Sequence, residues 1–134
     1  MPARRRCFVL RDERGSAPAE FVMVAALLTV LTLSVLQLGL ALHVRNTVLD
    51  AAAEGARYGA LADNTLADGA SRTRDLITTA IGAGYARDVT AASQRYREHP
   101  AVSVTVRAPL PLLGLIGLDG GLEVTGHAAK ETLD

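Results

Sequence analysis

Few side chains in this sequence have the types and spacing that catalysis or metal binding needs. The histidines, His43, His99 and His127, are far apart, and the single cysteine, Cys7, has no partner at the spacing of a metal site. No serine belongs to a recognisable Ser–His–Asp arrangement, and no glycine-rich segment follows a strand and opens a helix as a phosphate loop does. The sequence therefore predicts a non-catalytic protein that uses no cofactor and no metal.

The acidic residue with the most distinctive position is Glu20. It follows Ser16-Ala17-Pro18-Ala19, and a proline suits the first turn of a helix because its missing N–H has no intrahelical partner there. With Ala17 as the N-cap, Glu20 is the third helical residue. Its carboxylate can then accept a free backbone N–H and interact with the positive end of the helix dipole. We expect a helix to begin just before Glu20.

The stretch that follows Glu20, Phe21–Leu42, contains no charged residue and no histidine. Its polar residues are Thr29, Thr32, Ser34 and Gln37. As a helix it would be about 33 Å long, enough to cross a hydrocarbon core of about 30 Å. A helix on the surface of a soluble protein would show polar residues along one face. The sequence therefore predicts a transmembrane span over residues 21–42.

The charges on either side of this span predict its orientation. Residues 1–15 contain five arginines against two acidic residues, whereas the chain after Leu42 carries a small excess of acidic residues. By the positive-inside rule, residues 1–15 are a cytoplasmic basic leader and residues 62–134 are exported. The arginine cluster has no interleaved aromatic residues, so we expect no nucleic-acid partner.

Two helices are predicted in the N-terminal two thirds of the chain. The segment His43–Leu61 lacks proline and is rich in alanine, and its small apolar residues recur at spacings of three and four. One long helix is therefore predicted from about residue 18 to about residue 61, with a transmembrane part and an amphipathic part. A second, short helix is predicted over residues 71–82, with Ser71 as its cap.

The C-terminal part predicts a small antiparallel sheet, so the fold class is α+β. Residues 101–108 alternate between apolar and polar side chains and predict a half-buried strand, and residues 122–128 should be its partner. Residues 88–93 predict a weaker strand or turn. Between the two main strands, the segment 110–118 is predicted to be an apolar loop. It either folds back over the sheet or contacts the outer leaflet of the membrane or a partner.

Two motifs resemble the TadE-like proteins of tight-adherence (Flp) pilus systems. The first is R-G-S-A-x-A-E-F at residues 14–21, and the second is A-A-x-E-G-A-R-Y at residues 51–58. The resemblance extends from residue 14 to about residue 61. A β-rich tail with a P-L-P-type loop, here residues 109–111, also fits this family.

This resemblance implies a minor pseudopilin or pilus-assembly protein of the bacterial inner membrane. A prepilin peptidase would cut after Gly15, so that Ser16 becomes the N-terminus. Glu20 would then pair with the N-terminal amine of a neighbouring subunit, since a carboxylate at a low-dielectric edge is costly without a cation. The implied partners are membrane lipid, the prepilin peptidase, other pilin or pseudopilin subunits, and platform proteins of pilus assembly. A member that keeps its leader as a plain anchor remains an alternative.

The small residues Ala51, Gly55 and Gly59 lie on one face of the predicted long helix. Small side chains at this spacing allow another backbone to approach closely. Two interpretations are open: the face packs against other pilin-like subunits, or it packs beneath the strands of the same chain.

A different class of protein is also open, namely a secreted or membrane-anchored binding protein. Residues 1–43 would then be an ordinary signal peptide or a signal anchor. The apolar stretch is longer than the roughly 7–15 residues of a signal-peptide core, and no A-x-A cleavage site follows it. These two features favour the pseudopilin.

Overall fold

The computed structural model describes residues 15–112 and 116–132 of the chain. Within them the fold is α+β, as predicted: two α-helices are followed by a three-stranded antiparallel sheet. The elements in chain order are α1 (Ser16–Ala60), α2 (Leu66–Ile81), a short 3-10 helix (Ala83–Tyr85), β1 (Asp88–Tyr96), β2 (His99–Leu112) and β3 (Ile116–Ala129). The predicted basic leader lies outside the described residues, except for Gly15.

The chain divides into two compact units, Met1–Val35 and Leu36–Asp134. In the first unit the described residues belong to helix α1 from Ser16 onward, and every large apolar side chain from Phe21 to Val35 is exposed. Among the described residues, α1 is the one helix that is long and apolar enough to cross a membrane, and none of its most apolar window is buried within the protein.

The second unit holds the core, which is built mainly from small residues. The C-terminal part of α1 contributes a buried face that consists of Val44, Val48, Ala51, Ala52, Gly55, Ala56, Gly59 and Ala60. The spacing of these residues is the three-and-four pattern seen in the sequence. From β2, Val102, Val104 and Val106 are fully buried, and Ile77 is the largest fully buried side chain that α2 contributes.

The sheet has the order β1-β2-β3, and both neighbouring pairs are antiparallel. The pairing of β1 with β2 ends at Asp88 opposite Arg107, so the remainder of β2 is paired with β3 alone. The turn between β1 and β2 consists of Arg97 and Glu98, whose φ angles of 49° and 70° lie in the left-handed region. This backbone conformation matches the twist of a tight hairpin.

The start of α2 differs from the prediction. The helix begins at Leu66 rather than near Ser71, because Thr65 forms its N-cap. The backbone N–H of Asp68 donates to the Thr65 hydroxyl (3.2 Å), and the backbone N–H of Thr65 donates to the Asp68 carboxylate (2.8 Å). This reciprocal capping box satisfies two backbone donors at the helix end.

The predicted loop over residues 110–118 is wrong in most of its length, because both strands continue into it. β2 extends to Leu112 and β3 begins at Ile116, with Leu110 opposite Leu118. The prolines at positions 109 and 111 are compatible with this strand because none of the described strands pairs with its outer edge there. Residues 113–115 lie outside the described residues. Gly120, whose φ is 71°, lies within β3.

Candidate functional site

The residues that the sequence places at a cleavage site lie at the very start of α1. Gly15 immediately precedes the helix, Ser16 is its first residue, and both are exposed. A Cβ atom built onto Gly15 would meet no other atom within 4 Å, so packing does not require a glycine at this position.

Glu20 lies one helical turn after Ser16 and is also exposed. Residues four apart in a helix lie on the same face, so Glu20 and Ser16 are neighbours on the surface of α1. Within the described residues no cation forms a salt bridge with Glu20, and no backbone N–H donates to its carboxylate. Its neighbour Phe21 is 74% exposed. The carboxylate therefore lies at the edge of an apolar surface, without a cation from the described chain.

This apolar surface covers α1 on all sides from Phe21 to Leu42. The exposed large side chains in it are Phe21, Val22, Met23, Val24, Leu27, Leu28, Val30, Leu31, Leu33, Val35, Leu36, Leu38, Leu40 and Leu42. Soluble monomers rarely expose apolar patches larger than a few hundred Å², so a surface of this extent indicates contact with lipid or with another protein.

The polar side chains of the same stretch are all hydrogen-bonded to carbonyl groups of the chain. Each of the three hydroxyls donates to the carbonyl one turn earlier in the helix, at 2.7–2.8 Å, the residues being Thr29, Thr32 and Ser34. The side-chain amide of Gln37 donates to the carbonyl of Pro111 at 2.8 Å. A donor that is satisfied in this way can enter hydrocarbon without losing a hydrogen bond.

The small-residue face of α1 is covered by α2. A Cβ atom on Gly55 would meet the side chain of Thr73 and would lie 2.6 Å from the carbonyl oxygen of Gly69, and Gly59 approaches the backbone of Gly69 in a similar way. The buried hydroxyl of Thr73 reaches the carbonyls of Ala51 (3.3 Å) and Gly69 (3.0 Å). Of the two interpretations that the sequence left open, the structure shows a contact within the chain on this face, made by a helix rather than by the strands.

One strand also approaches α1 closely, at a glycine that the sequence did not single out. A Cβ atom on Gly126 of β3 would lie 2.6 Å from the carbonyl oxygen of Ala52. The sequence signal was a glycine inside an alternating strand, which often marks a close approach of another backbone.

The end of the sheet near the β1–β2 turn carries a polar aromatic cluster that the sequence also did not predict. Tyr96 stacks on His127 with ring centroids 5.1 Å apart, and the Gln94 side-chain amide lies 2.7 Å from Nδ1 of His127. No group of three or more His, Cys, Asp or Glu side chains in the described part of the chain is arranged to hold a metal ion.

Comparison with known protein families gives a match over residues 15–57 to a family described as TadE-like protein. The chain carries a TadE-like segment. The match confirms the family that the two sequence motifs suggested, and it includes Gly15, Ser16, Glu20, the exposed apolar surface and most of the small-residue face. Comparison with curated proteins and with solved structures gives no match.

The TadE-like segment suggests a protein associated with tight-adherence (Tad) pili. Together with the apolar helix α1, it also indicates a protein anchored in a membrane. The second unit, with α2 and the described sheet, lies beyond the matched residues except for residues 36–57 of α1.

Proposed function

We propose that the chain is a TadE-like pseudopilin or pilus-assembly protein of a tight-adherence (Flp) pilus, anchored by α1 in the bacterial inner membrane. The observation that supports this most directly is the order of features in the TadE-like segment. Gly15 and Ser16 come first, then Glu20, and then an apolar helical surface whose large side chains are exposed in the described part of the chain.

The membrane assignment is supported by the energy of hiding this surface from water. Burial of one large aliphatic side chain is worth about 1.5–3 kcal/mol. More than ten such side chains are exposed between Phe21 and Leu42, and their hydroxyl neighbours already have hydrogen-bond partners. Insertion into a bilayer therefore removes a large unfavourable contact with water, and the three hydroxyls keep their hydrogen bonds.

The proposed orientation places the arginine-rich leader in the cytoplasm and residues 62–134 outside it. A prepilin peptidase cuts the peptide bond between Gly15 and Ser16. The new amine of Ser16 is positively charged, and Glu20 pairs with the amine of a neighbouring subunit during assembly. The pairing compensates for placing a carboxylate at the low-dielectric edge of the bilayer.

The proposed partners follow from these steps. Lipid surrounds α1, the prepilin peptidase removes the leader, and other pilin or pseudopilin subunits and platform proteins contact the processed chain. The protein's own part is structural: it supplies a membrane helix, a charged N-terminus and a folded α+β domain.

The cleavage step is tested by expressing the full chain with and without the prepilin peptidase of its own system. Intact-mass measurement and N-terminal sequencing should show a start at Ser16 only when the peptidase is present. Gly15→Ala should prevent this processing, because the peptidase of this family acts after glycine. Gly39→Ala is the matched control, since neither glycine has an atom within 4 Å of an added Cβ.

Other outcomes would assign the chain differently. A mature protein that begins after Leu42 would identify a secreted protein with a signal peptide. An intact Met1 in cells that contain an active peptidase would identify a plain membrane anchor. Equal processing of the wild type and Gly15→Ala would contradict cleavage at this position.

The pairing role of Glu20 is tested by Glu20→Ala. We expect co-purification with sheared pili or assembly proteins to fall while the membrane-bound fraction stays unchanged, because insertion depends on the apolar surface. Asp75→Ala, at an exposed acidic position on α2, is the matched control. Loss of membrane insertion in Glu20→Ala would instead give Glu20 a role in forming the start of α1.

A further inference from the structure

The β2–β3 hairpin has an apolar end that the proposed anchoring helix does not explain. We define the hairpin end as residues 108–112 of β2 and 116–118 of β3. Every residue in it is alanine, proline, glycine, leucine or isoleucine, and the first charged residues on either side are Arg107 and Asp119. The sequence of this segment is therefore as apolar as that of a membrane-contacting element.

A single hydrogen bond places the hairpin end beside the apolar part of α1. The half-buried Gln37 donates through Nε2 to the carbonyl oxygen of Pro111, at 2.8 Å. Gln37 precedes His43, the first titratable residue after the apolar stretch, by six positions, which corresponds to about 9 Å of helix. The contact therefore lies inside the apolar segment of α1 and not at its end.

A second contact shows that β2 and α1 run alongside each other from that point. Gly126 of β3 is opposite Val104 of β2 and packs on the backbone of Ala52 in α1. From Pro111 to Val104 the strand covers about 23 Å, at roughly 3.3 Å per residue. From Gln37 to Ala52 the helix also covers about 23 Å, at roughly 1.5 Å per residue.

The change from apolar to charged residues therefore occurs at about the same distance from the Gln37–Pro111 contact on α1 and on β2. Arg107 lies about 13 Å along β2 from Pro111. Arg45 lies about 12 Å along α1 from Gln37. Arg107 is half-exposed and forms an ion pair with Glu123 at 2.8 Å, so β2 and β3 carry opposite charges at this level. Between the Gln37–Pro111 contact and this level, β2 carries only apolar residues, and the polar residues of α1 are Gln37 and His43.

The backbone of the hairpin end is suited to hydrocarbon rather than water. Beyond Arg107 no strand among the described residues pairs with the outer edge of β2, so free N–H and C=O groups on this edge would be unsatisfied in lipid. Two of its residues, Pro109 and Pro111, have no N–H, and the carbonyl of Pro111 accepts the amide of Gln37. The outer edge of β2 therefore lacks the backbone N–H donors of these two residues in the region where water would be absent.

We propose that the hairpin end inserts into the acyl-chain region of the bilayer beside α1 and forms a second lipid contact of this protein. Lipid is the occupant because the hairpin end lies beside the apolar surface of α1, where Leu36 and Leu38 are 64% and 62% exposed. Within the hairpin end, Pro109 and Leu110 are half-buried, and Ala108 and Pro111 are buried. The inference rests on the proposed membrane anchoring by α1, and the experiment below separates the two.

The test uses the full chain with Cys7→Ser, reconstituted in vesicles of phosphatidylcholine and phosphatidylglycerol. Single cysteines are introduced by Leu112→Cys in the hairpin end, Val30→Cys in α1 and Thr90→Cys on the exposed face of β1, and each carries a fluorophore that responds to polarity. Lipids with a doxyl quencher near the headgroup or near the end of the acyl chain report the depth of each label. Near-UV circular dichroism of the tyrosines shows that each labelled protein is folded.

We expect the labels at positions 30 and 112 to lose fluorescence to doxyl lipids and the label at position 90 to be unaffected. The label at position 112 should respond more strongly to the shallow quencher than the label at position 30 does. Leu118→Cys, on the paired strand, should behave like Leu112→Cys, and it replaces that variant if Leu112→Cys fails to fold.

Three results would overturn the inference. Quenching at position 30 without quenching at positions 112 and 118 would leave α1 as the anchor and place the hairpin end in water. A blue-shifted label at position 112 that doxyl lipids do not quench would identify a protein occupant, such as a second copy of the chain. Absence of quenching at position 30 as well would contradict the membrane anchoring itself.

Discussion

Replacing Gly55 by alanine should destabilise the second unit, although alanine is intrinsically the better helix former. Gly55 lies where α1 and α2 approach most closely, so an added methyl group has no free space. It would overlap the side chain of Thr73 and lie 2.6 Å from the carbonyl oxygen of Gly69. The carbonyl belongs to the backbone of α2 and can move only if the helix moves.

The size of the effect follows from three contributions. The higher helix propensity of alanine stabilises the folded protein by about 1 kcal/mol. Overpacking against α2 destabilises by about 1–3 kcal/mol. The Thr73 hydroxyl is fully buried and would leave the carbonyls of Ala51 and Gly69, which adds about 1–3 kcal/mol. The free energy of unfolding should therefore fall by about 3 kcal/mol, the centre of the summed ranges.

The measurement is urea unfolding of the full chain in detergent micelles, followed by the near-UV circular dichroism of its tyrosines. Gly39→Ala is the control within the same helix, because its Cβ would meet nothing within 4 Å. Adding Thr73→Ala to Gly55→Ala should recover part of the loss, with a coupling energy of about 1 kcal/mol or more. A Gly55→Ala protein as stable as Gly39→Ala would refute the close packing of α1 on α2.

Two further predictions concern the same unit. Gly126→Ala should lower the free energy of unfolding by about 1–3 kcal/mol, because its methyl group would meet the backbone of Ala52; Gly84→Ala, whose Cβ meets nothing within 4 Å, should not. The hydroxyl and backbone N–H of Thr65 lower the pKa of the Asp68 carboxyl below its ordinary value. Because the folded-state pKa is the lower one, this stabilisation is present above about pH 4 and is lost as the pH falls through the folded pKa. Asp68→Asn should therefore reduce stability at neutral pH and flatten the acid side of the stability curve, as measured by urea midpoints; an unchanged acid slope would contradict the capping box.

Much of the fold was predictable because its signals are local. The uninterrupted apolar and alanine-rich run set the extent of α1, and the alternation over residues 101–108 identified the buried face of β2. The TadE-like family was likewise readable from two short motifs, one around Glu20 and one around Gly55.

The errors have particular physical causes. The sequence predicts too late a start for α2, although Thr65 and Asp68 have the spacing of a capping box. Gly69 weakens the helical pattern that follows these two residues. The sequence predicts a loop over residues 110–118, but both strands extend into this segment. At an edge with no strand partner, the missing N–H of Pro111 removes no ladder hydrogen bond.

The contacts across the second unit could not be predicted from local pattern. Gly126 against Ala52, and Gln37 with Pro111, join residues that are more than seventy positions apart. A glycine in a strand or a glutamine in an apolar helix indicates that another segment of the chain lies close to it. Neither residue indicates which segment that is.

The packing of β3 on α1 also determines when the second unit can finish folding during synthesis. β3 is the last element in chain order, yet it lies against Ala52 in the first. The segment after it is also tied to α1, because the backbone N–H of Glu131 donates to the carbonyl of Ala60 (2.9 Å) and its carboxylate accepts from the N–H of Ala62 (3.2 Å). Contacts of such long sequence separation close late and slowly. The surface of α1 around Ala52 therefore stays uncovered until the ribosome has added residues 126–131. During that interval the nascent chain exposes a surface that chaperones or neighbouring subunits can bind.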